Sequence, residues 1–210
     1  MKTKAHQRYK LKNGVIVPGA TTVINSNLGW NKNVLIDWAK RTAKEGKDPD
    51  KVRDKAAEIG TIAHYLCECD ARRIEPDLKD YAPADVEIAE TCFLGYLEWK
   101  KQHKIGEIYP ETQLVSEQHR YGGTIDMLYK VDGKWILADI KTSKGVYAEA
   151  HIQLAAYYHL CKENGYDITD TYILHFDKKG NFATHTVKKL DTYWEIFKNC
   201  LNLHRLKKEV

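Results

Sequence analysis

The sequence predicts a mixed α/β fold, with a central mixed sheet of about five strands flanked by helices. Three observations predict it. The first half of the chain repeats apolar residues at threes and fours, the spacing of amphipathic helices. The second half opens on three β-branched or alternating runs. A helical segment then separates these from two further runs and a last helix. That order suits one sheet covered by helices. The 210 residues suffice for a single domain with a full core. We read residues 1–210 as one domain, in which 1–55 form a basic strand/helix extension and 56–210 the core.

The elements follow in order. Residues 9–17 alternate weakly and reach "VPGATTVINS", a strand-and-turn pattern punctuated by Pro-Gly. Residues 33–44 read as a helix with Val34, Leu35, Trp38 and Ala39 on one face, and "EGKDPD" is a polar connector. Over 51–71, Ala56, Ile59, Ala63 and Leu66 recur at helical spacing. "RRIEPDLKDYAPAD" is a loop, and Asp85 reads as the N-cap of a helix over 86–103. Strands are expected at 108–117, 121–131 and 134–142, and a helix at 148–165 closes on Asn-Gly. Residues 168–177 and 181–188 flank "DKKG" as a second hairpin, and 191–207 make the final helix.

Composition narrows the class. The chain is 43% apolar and 30% charged, and no apolar run approaches the ~20 residues that span a bilayer. The N-terminus is basic with no apolar stretch behind it, unlike a secretory signal. A cytoplasmic protein with no membrane partner is expected. The five cysteines form no CxxC pair, which argues for core thiols over a zinc site. Charge is uneven. Residues 1–55 carry 13 Lys/Arg against 5 Asp/Glu, and residues 56–120 carry 7 against 13. A basic first quarter permits a polyanionic partner.

The run "WILADIKTSK" poses the chemical question. Asp139 and Lys141 interrupt the most apolar strand of the second half, where an unpaired charge is costly. Asp132-Gly133 upstream is a favoured type I′ hairpin turn. With those two residues as the loop, Val131 pairs with Lys134, Asp126 stands opposite Asp139, and Thr124 opposite Lys141. Directly opposed residues have Cβ atoms ~4.5–5.5 Å apart. Two carboxylates that close cannot easily both ionise, so either one is protonated or a cation sits between them. Oxygen ligands favour Mg²⁺, Mn²⁺ or Ca²⁺.

The motifs "GGTID" (122–126), "DIK" (139–141), "QLAAY" (153–157) and "GTIAH" (60–64) together resemble those of PD-(D/E)XK nucleases, in their RecB-like and phage-exonuclease branch. "VPGATTVI" (17–24) resembles an N-terminal strand of phage exonucleases and of the mitochondrial genome maintenance exonuclease. The resemblance runs from about residue 15 to 200 and implies a restriction-endonuclease-like core. It further implies that His64, Asp126, Asp139 and the Ile140 carbonyl bind Mg²⁺ or Mn²⁺. Asp126, Asp139 and Lys141 would form the catalytic set, Lys141 positioning the attacking water. Gln153 and Tyr157 would orient Lys141 or the DNA backbone, Thr142 would touch a phosphate, and Glu111 would support the site from behind. Glu68, one turn after His64, reads mainly as surface. No iron–sulfur cluster is expected, because no cysteine precedes His64.

Three readings of function follow. The first is a divalent-metal-dependent DNA exonuclease acting on single strands or duplex ends. Its setting would be recombination, repair or phage DNA processing, in a bacterial or phage-infected cell, with a recombination or replication protein as a candidate partner. Tyr9, Trp30 and Trp38 in the basic quarter are candidates for base stacking, with core packing as their other use. The alternatives are an endonuclease of the same superfamily, or a catalytically silent DNA-binding module.

Overall fold

The computed structural model describes residues 8–103 and 105–210; the first seven residues of the basic N-terminal stretch lie outside them. Two short strands, β1 (Tyr9–Lys10) and β2 (Ile16–Val17), pair with each other. Pro18-Gly19 follows, and then the strand expectation fails: Ala20–Asn27 is a helix, α1. Ala20, Val23 and Ile24, spaced at i, i+3 and i+4, are its buried residues. The β-branched content of this run suggested a strand, and burial of a helical stripe overrode that preference.

Helix α2 (Lys32–Lys44) follows, then α3 (Pro49–Arg72) and α4 (Pro83–Gln102). Asp48 caps α3, its carboxylate accepting from the Asp50 N–H. Asp85 does not cap α4. The helix starts two residues earlier, at Pro83, whose fixed φ and missing N–H suit a first turn. Asp85 lies within that turn, buried, 3.0 Å from Lys55 Nζ of α3.

The main sheet holds β3 (Ile108–Ser116), β4 (Tyr121–Val131), β5 (Lys134–Lys141), β6 (Ile168–Phe176) and β7 (Phe182–Thr186), in that spatial order. All neighbours are antiparallel except β5 and β6. A parallel pair needs a crossover connection, which α5 (Ala148–Glu163) supplies. Helix α6 (Leu190–Leu206) closes the chain.

Strand alternation sends β5 into two cores. Leu137 packs with Val23 of α1, Leu154 and Leu160 of α5, and Phe197 of α6. Ile136 and Ala138 pack with Ile62 of α3 and with Tyr96 and Trp99 of α4. Helix α5 is apolar nearly all round because the sheet lies on one side of it and α1 and α6 on others. All five cysteines are free and buried, as expected of core thiols. Among the described residues no helix is long and apolar enough to cross a membrane.

Candidate active site

The hairpin adopts the predicted register. Val131 pairs with Lys134, and the ladder continues to Met127 opposite Ala138. Asp132 (φ 49°) and Gly133 (φ 78°) both take the positive φ that a type I′ turn requires. The ladder between β4 and β5 then stops one residue short of the acids. Asp126 and Asp139 are not a ladder pair, nor are Thr124 and Lys141. Instead Asp126 Oδ2 accepts the Ile140 N–H at 2.8 Å, a side chain standing in for the backbone partner.

The cause is a break in alternation. Ile125 and Leu128 pack on the α5 side of the sheet, whereas Met127 and Tyr129 pack on the α3/α4 side. The switch falls at Asp126. Across from it on β3, Glu111 has φ 50°, a left-handed conformation uncommon for a residue bearing a side chain. The β3–β4 pairing omits this one position. Both strands therefore turn over together, and the two carboxylates leave the regular pleat.

This brings a third acid to the pair. One ligand atom each of His64, Glu111 and Asp126 lies within 4.8 Å of the others. They line a cavity of ≈ 10 Å³ with Cys67, Glu68, Pro110, Met127 and Ile140, room for one water-sized occupant. Glu111, expected behind the site, is thus in this group of three, and Asp139 lies next to it, against Asp126. Glu68 also lines the cavity, its carboxylate held 2.8 Å from Arg72 Nε. One imidazole and two carboxylates are a donor set suited to a divalent cation.

Asp139 stands beside Asp126 and has further partners of its own. It is fully buried, its Oδ2 lies 2.5 Å from Lys141 Nζ, and its Oδ1 accepts from Gln153 Nε2 at 3.1 Å. The same Gln153 amide donates to the Tyr157 hydroxyl at 2.9 Å. Gln153 Oε1 is 3.5 Å from Lys141 Nζ, a long contact. Gln153 therefore holds Asp139 first and Lys141 second. Tyr157 is buried, and it anchors Gln153.

The glycines of the motifs have steric reasons. A Cβ at Gly123 would lie 2.5 Å from Tyr157 Cε1, and one at Gly122 would lie 2.3 Å from Tyr9 Cγ. Two aromatic rings thus cover "GG". Tyr9 is spent on this packing and on a 2.9 Å hydrogen bond with Thr124 Oγ1. A Cβ at Gly60, one turn before His64, would stand 3.1 Å from Thr142 Oγ1. Close approach of α3 to the end of β5 brings His64 to the acids, and leaves Thr142 largely buried.

Electrostatics reflect the crowding. Burial, then Asp126 and Glu68, push the Glu111 carboxyl up to about 8. Burial pushes Asp139 up to about 6 against the pull of Lys141, and burial also raises Asp126. Burial and the Lys141 charge push His64 down to about 4, leaving the neutral imidazole that a metal requires. For Lys141, burial opposes the charged form, but Asp139 and Asp126 outweigh it and raise the pKa.

A five-stranded mixed sheet with acids and a lysine at a break in its central strands defines a restriction-endonuclease-like fold. The sequence model of the PD-(D/E)XK nuclease superfamily matches residues 35–204, and the chain belongs to that superfamily. Among solved structures, the chain is similar to the protein SSO0001, with 18% identity and a TM-score of 0.37, covering 59% of this chain and 62% of that one. It is also similar to a candidate exonuclease from Eubacterium rectale, with 15% identity and a TM-score of 0.42, covering 83% of this chain and 65% of that one. The matched region thus spans less than two thirds of either structure's own chain. A search of curated protein sequences finds no significant match.

Proposed function

We propose that this chain is a divalent-metal-dependent DNA exonuclease, acting in recombination, repair or phage DNA processing within a bacterial or phage-infected cell. One observation carries the reading: the His64–Glu111–Asp126 cluster sits beside a buried Asp139–Lys141 pair, joined to it by the Asp126–Ile140 hydrogen bond. His64, Glu111 and Asp126 would hold Mg²⁺ or Mn²⁺, with Asp139 and the Ile140 carbonyl at its border. A bound divalent ion supplies an acidified water and a clamp on phosphate oxygens.

The chain's own groups do the rest. Lys141 stays protonated through its two acidic neighbours and offers N–H donors to the attacking water and to charge developing on the phosphate. Asp139 fixes that ammonium in place, and Gln153 fixes Asp139. Neutral His64 leaves a ring nitrogen free as a donor. A recombination or replication protein remains the partner that this setting suggests.

The test uses end-labelled linear single-stranded and duplex DNA and a closed circle, each with Mg²⁺ or Mn²⁺, and the Lys141→Ala variant alongside. Mononucleotides or short products from linear DNA alone are expected, with loss in the variant. Cutting of the closed circle would replace exonuclease by endonuclease. Turnover unaffected by Lys141→Ala would remove the catalytic reading.

A further inference from the structure

Helix α2 is the anomaly of the fold. Of its 13 residues only Thr42 is buried, while Val34 and Leu35 are 63% and 60% exposed. Helices of this length are stabilised mostly by packing an apolar face. Here that face looks across a cleft of ≈ 930 Å³, walled by Leu35, Trp38 and Ala39 on one side and by Tyr147 and Ala150 on the other. Lys141 and Gln153 also line it, so the cleft opens onto the candidate active site. Trp38 also lines a second cavity, of ≈ 360 Å³, with Arg41, Lys47 and Lys144 around the single acid Glu45. Lys47 first, then Arg41 and Lys144, draw the Glu45 carboxyl below its usual range.

We infer that the paired cavities are a track for an unpaired DNA strand, with bare base faces against the apolar wall and a backbone phosphate in the basic pocket. This inference rests on the nuclease reading for the identity of its ligand. The apolar cleft has the size of sites that take small-molecule-sized groups, which a few unstacked nucleotides match and a base-paired helix does not. In a duplex the base faces are stacked on one another and must be exposed at a cost. Only an unpaired strand presents apolar faces and phosphates side by side, in the order in which Trp38 separates the two cavities. Base–aromatic contact is also indifferent to sequence, as an exonuclease requires.

Binding and hydrolysis are measured separately. Fluorescence anisotropy in EDTA compares a labelled oligothymidylate, the same strand annealed to its complement, and an abasic tetrahydrofuran strand of equal length. The single strand is expected to bind about tenfold or more tighter than the other two. Trp38→Ala and the exposed Leu35→Asp should weaken the oligothymidylate and leave the abasic strand unchanged. Thermal melts check folding, and Leu35→Asp keeps the test valid if Trp38→Ala does not fold. Arg41→Gln and Lys144→Gln should weaken both strands, and flatten the log–log salt dependence by about 0.7 for each phosphate that is no longer neutralised. Duplex bound as tightly as single strand, or an abasic strand bound as tightly as oligothymidylate, overturns the inference. Strand preference without metal-dependent hydrolysis supports it while overturning the nuclease reading.

Discussion

Glu111→Gln should make the metal-free protein more stable at pH 8 and leave it nearly unchanged near pH 5. In the fold this carboxyl is pushed up to about 8 from an ordinary 4.5, by burial first and then by Asp126 and Glu68. A carboxyl whose folded pKa exceeds its unfolded one contributes fully below the unfolded value, and that contribution is lost as pH rises toward the folded value. The loss approaches 1.36 kcal/mol per pH unit for one group. His64, lowered to about 4 from 6.5, works with the opposite sign between those values. Asp139, raised to about 6 from 3.8, has finished its own loss by then. Between pH 6.5 and 8 the Glu111 contribution costs about 2 kcal/mol by order of magnitude, and Asp126, also raised by burial, acts with the same sign. For a chain of this size that lowers Tm by about 4–8 °C. Melts followed by circular dichroism in EDTA at pH 6.5 and 8 measure it. The wild type should lose stability across the interval, Glu111→Gln should lose less, and Mg²⁺ should restore the wild type more than the variant. Parallel profiles for the two proteins, or a wild type that gains stability over the interval, would refute the clustering of these acids.

Three further outcomes are expected. Lys141→Ala should lower metal-dependent cleavage by roughly 10²–10⁴-fold while Tm changes little, because Asp139 takes up a proton near neutral pH when its partner goes; gel assays and melts read the two. His64→Ala should abolish most of the Mn²⁺-induced rise in Tm, measured by titrating MnCl₂ in thermal-shift experiments. Gly123→Ala should cost about 1–3 kcal/mol by overpacking, since its new methyl meets the Tyr157 ring, whereas Gly145→Ala, with nothing within 4 Å of its Cβ, should leave the urea midpoint unchanged.

Local chemistry makes much of this legible in the sequence. The Asp132-Gly133 turn sets the hairpin register because a type I′ turn has one geometry, and helical spacing locates α3 with His64 on it. The strand reading of residues 17–24 fails where tertiary burial outweighs β-propensity. Asp85 has a side chain suited to a cap, but Pro83, already at a first-turn position, is the better signal of where α4 begins. The role of Glu111 depends on a positive φ in a residue that gives no sequence sign of it, and on a β3–β4 register set by a turn at 117–120 with no Asn-Gly or Asp-Gly to announce it.

The break at Glu111 and Asp126 also resolves the problem that the two buried charges of β5 pose. Strict alternation would have set Asp126, Asp139 and Lys141 on one face, with two carboxylates opposed and a single lysine to neutralise them. The turnover of β3 and β4 divides the burden. Asp126 lies where the Ile140 N–H satisfies one oxygen and His64 and Glu111 approach the carboxylate. Asp139 pairs with Lys141 and accepts from the Gln153 amide, and the same lysine draws Asp126 down. The two acids thereby share the lysine charge, while Asp126 has the Ile140 N–H and Asp139 the Gln153 amide, and three donors stay converged where a cation would sit. The cost falls on Glu111, which has the left-handed backbone and a carboxyl pushed further up than that of Asp139, and a bound cation is what would relieve it.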